Sequence, residues 1–162
     1  DYKQLAKDVF RKDLKIFNIN DEKDVISYVY KNLSFNFEAN NERIDVYNQE
    51  SIVNFLIQHF MHQFEDNQKK AADPYFILRF IQKSFIKAID MAWIEQVDYL
   101  QQLKASVNNR QNGQRNAVYE YHKVALESYE AMTIKLKRNI IRNLCLSIIT
   151  FDKHGDLVIY FP

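Results

Sequence analysis

A helical apolar pattern runs from Pro74 to Leu144 with one interruption, and it constrains this chain more than any other feature. Its first half places Ile77, Leu78, Ile81, Phe85, Ala88, Ile89, Ala92, Trp93, Leu100, Leu103 and Val107 at helical spacing, the period of one helix face. Its second half does the same with Val118, Tyr121, Ala125, Tyr129, Met132, Leu136, Ile140 and Leu144. The interruption, Asn108–Asn116, holds four Asn, two Gln, two Arg and one Gly. Two long helices joined by a polar loop follow, the first about 50 Å long at 1.5 Å per residue, with Asn116 placed to cap the second. Only two Gly and two Pro occur among the 162 residues. A β-rich fold needs more turn residues than that.

The flanking segments extend this reading. Leu5, Val9, Phe10, Leu14 and Phe17 mark a helix from Tyr2 to about Phe17. Asp21 is placed to cap a second helix carrying Val25, Ile26, Val29, Tyr30, Leu33 and Phe37, before a polar break at 36–41. A third helix spans about Asn48 to Ala71, with Ile52, Val53, Leu56, Phe60 and Phe64 as its stripe, fading into the polar run Asp66–Lys70. Asp73-Pro74 punctuates the chain as an N-cap followed by proline at the first helical position. Ser147–Phe151 and Leu157–Phe161 are β-branched and aromatic around Asp152–Asp156. They read as a β-hairpin or as two strands awaiting a partner sheet. The expected fold class is mainly α: a helical bundle over 1–73, a long antiparallel hairpin over 74–146, and a short strand-bearing tail over 147–162.

Charge narrows the function classes. Lys and Arg number 22 against 21 Asp and Glu, a net charge of +1. A nucleic-acid partner calls for a basic excess that neutralises phosphates, so none is expected. Cys145 is the single cysteine, which excludes an internal disulfide and a multi-cysteine zinc site and fits a reducing compartment. No apolar run approaches the ~20 residues of a membrane span. No signal-peptide pattern opens the chain, and with no initiating Met the chain is expected to be a fragment of something larger.

Few residues invite catalysis. With Gly113 and Gly155 alone, neither a phosphate-binding loop nor a dinucleotide fingerprint can be written. His59, His62 and Glu65 share a helix at three-residue spacing, which suits metal ligands, but no second ligand pair accompanies them. Ordinary core or surface histidines are the simpler reading, and no metal site is assigned. Cys145 and His154 are a nucleophile and base by type, yet nothing marks an oxyanion site, so a core cysteine is expected. Trp93 at helical spacing reads, on its own, as a core aromatic.

One stretch carries a wider resemblance. Ile89-Asp90-Met-Ala-Trp93 resembles the Ile-Asp-x-x-Trp that opens the two-helix finger of SecA-type preprotein translocase ATPases. The register continues without a gap through Leu100, Leu103-Lys104, Ser106-Val107, Arg110, Gln114, Glu120-Tyr121, Ala125, Tyr129 and Met132. Where that family has a bulky, often aromatic residue at the loop tip, this chain has Asn112; Ala117 stands for the family proline and Lys104 for its arginine. Such departures, and the lack of a cysteine-bearing zinc tail, resemble the accessory paralogue of Gram-positive bacteria.

The resemblance implies a helical wing over 1–73, a helical scaffold with its finger over 74–146, and a linker over 147–162. It implies an ATP- and Mg2+-dependent motor in domains outside this chain, with no cofactor in the chain itself. Arg110, Gln111, Asn112, Gly113 and Gln114 would contact the moving polypeptide at a SecY-type channel, through polar amides rather than an aromatic tip. Ile89, Asp90, Trp93, Glu120, Tyr121, Tyr129 and Met132 would be structural. Implied partners are the motor domains of the same chain, an unfolded or glycosylated exported protein such as a serine-rich adhesin, and accessory Sec proteins. The implied location is cytoplasmic, with peripheral contact to the cell membrane. The alternative reading is a stand-alone helical scaffold for protein–protein interaction.

Overall fold

The computed structural model describes residues 1–37, 44–108 and 114–162. Among these residues, five helices precede a two-stranded sheet: α1 (Tyr2–Ile16), α2 (Glu22–Asn32), α3 (Gln49–Ala71), α4 (Pro74–Asn108), α5 (Gln114–Leu146), β1 (Ile148–Phe151) and β2 (Leu157–Tyr160). The fold is mainly α, as the helical periodicity requires.

Local chemistry sets the helix starts. The Asp21 carboxylate accepts from the Asp24 amide at 2.8 Å. Asn48 accepts from the Ser51 amide at 2.8 Å, while the Ser51 hydroxyl answers the Asn48 amide, a reciprocal capping box. Asp73 accepts from the Tyr75 amide at 2.8 Å, with Pro74 at the first helical position.

Two boundaries differ from the sequence expectation. α2 ends at Asn32, so Leu33 and Phe37 lie beyond it, both still buried. There Phe37 packs edge-on against Phe55 and His59 of α3, and its carbonyl accepts from the Tyr30 hydroxyl. Tertiary packing, not helical continuation, holds the apolar residue that periodicity had assigned to the helix. α5 begins at Gln114, so Asn116 lies inside the first turn rather than capping it.

The core joins the first three helices to α4 and α5. Phe10 and Leu14 of α1, Val25 and Val29 of α2, Phe60 and Phe64 of α3, Phe80 of α4 and Ile141 and Leu144 of α5 form one buried cluster. Phe10 meets Tyr28 and Phe60 edge to face. Asn67, in the polar run after the α3 stripe, is buried and donates to the Leu144 and Cys145 carbonyls at 2.8 and 3.2 Å. It thereby satisfies carbonyls that the end of α5 would leave without helical partners.

The tail is a β-hairpin with Ile148 opposite Tyr160 and Phe151 opposite Leu157. Its turn is closed by the Asp152 carboxylate, which accepts from the amides of His154 and Asp156. Gly155 sits at φ +80°, a conformation that glycine adopts without steric cost. Ile149 turns into the core, and Phe151 meets Phe76 of α4 at 5.3 Å between ring centres. Among the described residues, no helix is long and apolar enough to cross a membrane.

Candidate functional site

α4 and α5 form an antiparallel hairpin with a buried root and a projecting arm. α4 buries only Phe80, Ser84, Ala88 and Ala92, one residue every four. The last three are small, so the α5 backbone approaches closely there, and the Asn143 amide donates to the Ser84 carbonyl at 2.9 Å. On α5 the buried residues begin at Ile140. From Trp93 outward on α4, and from Asn116 to Asn139 on α5, no described side chain is fully buried. The arm beyond Ala92 is about 24 Å long at 1.5 Å per residue.

Polar pairs hold the arm's two helices in register. Lys135 meets Glu95 at 2.8 Å, and Gln96 donates to the Ser128 hydroxyl at 3.1 Å. Their common contribution is small, because exposed pairs are screened by water. The arm therefore depends on helix propensity and on the half-buried seam between α4 and α5.

A buried ionic knot anchors the arm's root to the first two helices. Asp13 of α1 is 0% exposed. Arg138 of α5 grips it with two donors, Nε at 2.8 Å and Nη2 at 2.5 Å, the bidentate geometry that suits guanidinium and carboxylate. The Tyr28 hydroxyl of α2 donates to the same carboxylate at 2.5 Å. Burial, and then the Asp13 charge, hold the Tyr28 phenol well above its ordinary pKa. The hydrogen bond to Asp13 raises that of Arg138, and the Phe17 ring lies 4.7 Å from its guanidinium carbon. A carboxylate at 0% exposure is stable only when paired and hydrogen-bonded, and three helices meet to pair this one.

The sequence-selected residues distribute along the arm. Arg110, Gln111, Asn112 and Gly113 lie outside the described residues, and Gln114 opens α5. Ile89, Asp90 and Trp93 lie on α4 near the root; Glu120, Tyr121, Tyr129 and Met132 lie on α5. Trp93 is 68% exposed, which corrects its reading as a core aromatic. α4 and α5 meet through Ser84, Ala88 and Ala92, and Trp93 falls on the side away from that seam. With Ile86, Ile89 and Val97 it forms an exposed apolar stripe on α4.

The two candidate chemistries find no support in the geometry. His59 packs against Phe37 and Phe55, and His62 lies 3.5 Å from Asp66. Among the described residues, no cluster of three or more His, Cys, Asp or Glu is arranged to hold a metal ion. Cys145 is buried beneath the Phe60 carbonyl, where desolvation pushes its thiol far above the ordinary range. Such a thiol is inert. His154 is exposed in the hairpin turn.

Sequence reasoning passed over Asp13. Its signal was present, since it follows Val9 by four residues and Phe10 by three on the apolar face of α1. A carboxylate on such a face demands a cationic partner.

Comparison with known proteins agrees with this architecture. The family model described as the SecA Wing and Scaffold domain matches residues 2–147. A protein translocase subunit SecA 2 from Staphylococcus haemolyticus is 56% identical over 162 residues, covering 100% of this chain and 20% of that protein. One from Staphylococcus epidermidis is 59% identical over 161 residues, covering 99% of this chain and 20% of that protein. One from Staphylococcus aureus is 49% identical over 162 residues, with the same 100% and 20% coverage. This chain thus spans about a fifth of the length of these relatives. No solved structure matches it. By the extent of the matched domain and the identity across its whole length, the chain belongs to the SecA wing and scaffold family.

Proposed function

We propose that this chain is the wing and scaffold portion of a protein-export motor of the accessory Sec type, and that the α4–α5 arm carries motion from the motor to the exported polypeptide. The observation that carries this reading is the arm itself. It is fixed at its root by a buried ionic knot, buries no described side chain beyond Ala92 and before Ile140, and its two helices are joined by a sequence rich in amides. The relatives' description as protein translocase subunits supports it.

In this reading ATP and Mg2+ are handled by domains outside the chain, since its two glycines cannot write a phosphate loop. The loop at Arg110, Gln111, Asn112, Gly113 and Gln114 enters a SecY-type channel. Its amides both donate and accept, so they grip a passing backbone without demanding a sequence. Hydrophilic clients such as serine-rich glycoprotein adhesins suit this contact better than an aromatic tip would. The motor works at the cytoplasmic face of the membrane, in peripheral contact. The exposed stripe of Ile86, Ile89, Trp93 and Val97 is then a face that the remaining four fifths of the protein covers, because contiguous apolar surface is normally covered by a partner.

The test is cysteine cross-linking from position 112, introduced as Asn112→Cys in the full-length protein, to a stalled export client in the assembled channel. A cross-link from 112 is expected. Cross-links from the wing but never from 112 would overturn the role of the arm.

A further inference from the structure

A cleft of about 490 Å³ opens between α2, α4 and α5, within the size range of sites that hold small organic ligands. Phe17, Ile19 and Met91 give it apolar walls. Four cations line it, Lys31, Lys135, Arg138 and Arg142, against two side-chain carboxylates, Asp24 and Glu95, with Pro162 at its edge. Arg138 is committed to Asp13, and Lys135 to Glu95. Arg142 is not committed. Its Nη1 donates to the Lys31 carbonyl at 2.6 Å and reaches Asn32 Oδ1 at 3.4 Å, both neutral acceptors. Its Nε and Nη2 have no hydrogen-bond partner, and no carboxylate pairs with it, among the described residues. Burial and the neighbouring Arg138 lower its pKa, as befits a cation short of a counter-ion. One helical turn away, half-buried Asn139 also lines the cleft, with its amide unengaged among the described residues.

We propose that this cleft binds a carboxylate carried on an apolar body, with Arg142 as the anchor, Asn139 as a second donor, and Phe17 and Met91 as the apolar wall. A guanidinium offers two parallel donors matched to a planar carboxylate, and two nitrogens of Arg142 remain free to use that match. Asp24 is the one lining acidic side chain without an ion pair among the described residues, and it stands on α2, two turns before Lys31. The carboxylate has two possible sources. One is a free small organic acid; the other is an Asp or Glu side chain beside an apolar residue of a polypeptide.

The test titrates three probes into the full-length protein labelled with 15N-arginine while the arginine Nε–Hε resonances are followed by NMR. The probes are 3-phenylpropionate, its uncharged amide, and the blocked dipeptide N-acetyl-Phe-Glu-amide. Saturable shifts of the Arg142 signal with a carboxylate probe, and none with the amide, are expected. Arg142→Lys keeps the charge but loses the fork, and should weaken binding roughly tenfold. Asn139→Asp leaves the contacts of Arg142 to α2 in place and sets a tethered carboxylate at i,i+3 spacing. It should abolish binding while the far-UV circular dichroism stays unchanged. Binding of the free acid alone or of the dipeptide alone supports the site and identifies the source. Equal shifts with the amide, undiminished binding by Asn139→Asp, or no shift with either carboxylate at millimolar concentration would overturn it.

Discussion

Replacing Arg138 with Met should be among the most destabilising single changes in this molecule, and for a reason specific to its partner. The substitution keeps most of the aliphatic volume but leaves the Asp13 carboxylate, at 0% exposure, with the Tyr28 hydroxyl alone. Breaking a buried pair from one side costs about 3–5 kcal/mol, because the surviving charge is stranded. The Arg138 side chain is 17% exposed, and Tyr28 still donates, so the lower end applies, about 3 kcal/mol. For a chain of this size that corresponds to a fall of roughly 6–12 °C in Tm. Urea melts followed by far-UV circular dichroism are the assay; Trp93, already exposed, is a poor fluorescent reporter. Asp13→Leu combined with Arg138→Met should be less damaging than the sum of the two single changes, since it removes both charges together. A loss under about 1 kcal/mol for Arg138→Met, or a double variant that is simply additive, would refute the claim that a paired charge anchors the arm.

Three other outcomes follow from the same geometry. The Ser84 hydroxyl is buried with no hydrogen-bond partner among the described residues, so Ser84→Ala should raise stability by about 1 kcal/mol in a urea melt. Ala88 is 1% exposed, so Ala88→Leu forces three extra carbons into a filled seam and should cost about 1–3 kcal/mol, read in the same melt. Tyr28 keeps its proton in the folded state above the pH at which the unfolded chain releases it. The unfolded chain then binds fewer protons, so stability should decline as pH rises past the ordinary tyrosine pKa near 10. Tyr28→Phe, compared in melts across that window, should flatten the decline.

The helices were legible because their causes are local. Asp21 and Asp73 announce two helix starts by capping chemistry alone, and the stripe from Pro74 to Leu144 announces the hairpin. What stayed illegible depends on distance along the chain. Asn67 sits in a run that reads as solvated, yet the end of α5 draws it into the core to serve two carbonyls. Trp93 fits the helical period as well as Ala92 does, and only the position of α5 decides which of them is covered. The α2 boundary was misread because Phe37 finds its burial against α3 rather than on its own helix. Asp13 and Arg138 lie 125 residues apart, and no spacing rule connects them. The lining of the cleft is likewise assembled from three helices, so its unpaired arginine appears only once they are packed.

Among the described residues, the lack of buried side chains beyond Ala92 on α4 and before Ile140 on α5 separates the length of the arm from the stability of the fold. Removing seven residues from each helix, in step, would turn each face by only about 20° and would take nothing from the core. Reach is therefore a free variable in this architecture. It can lengthen or shorten by whole turns under selection for what the tip must touch, while the sequence constraints of folding act on the root alone.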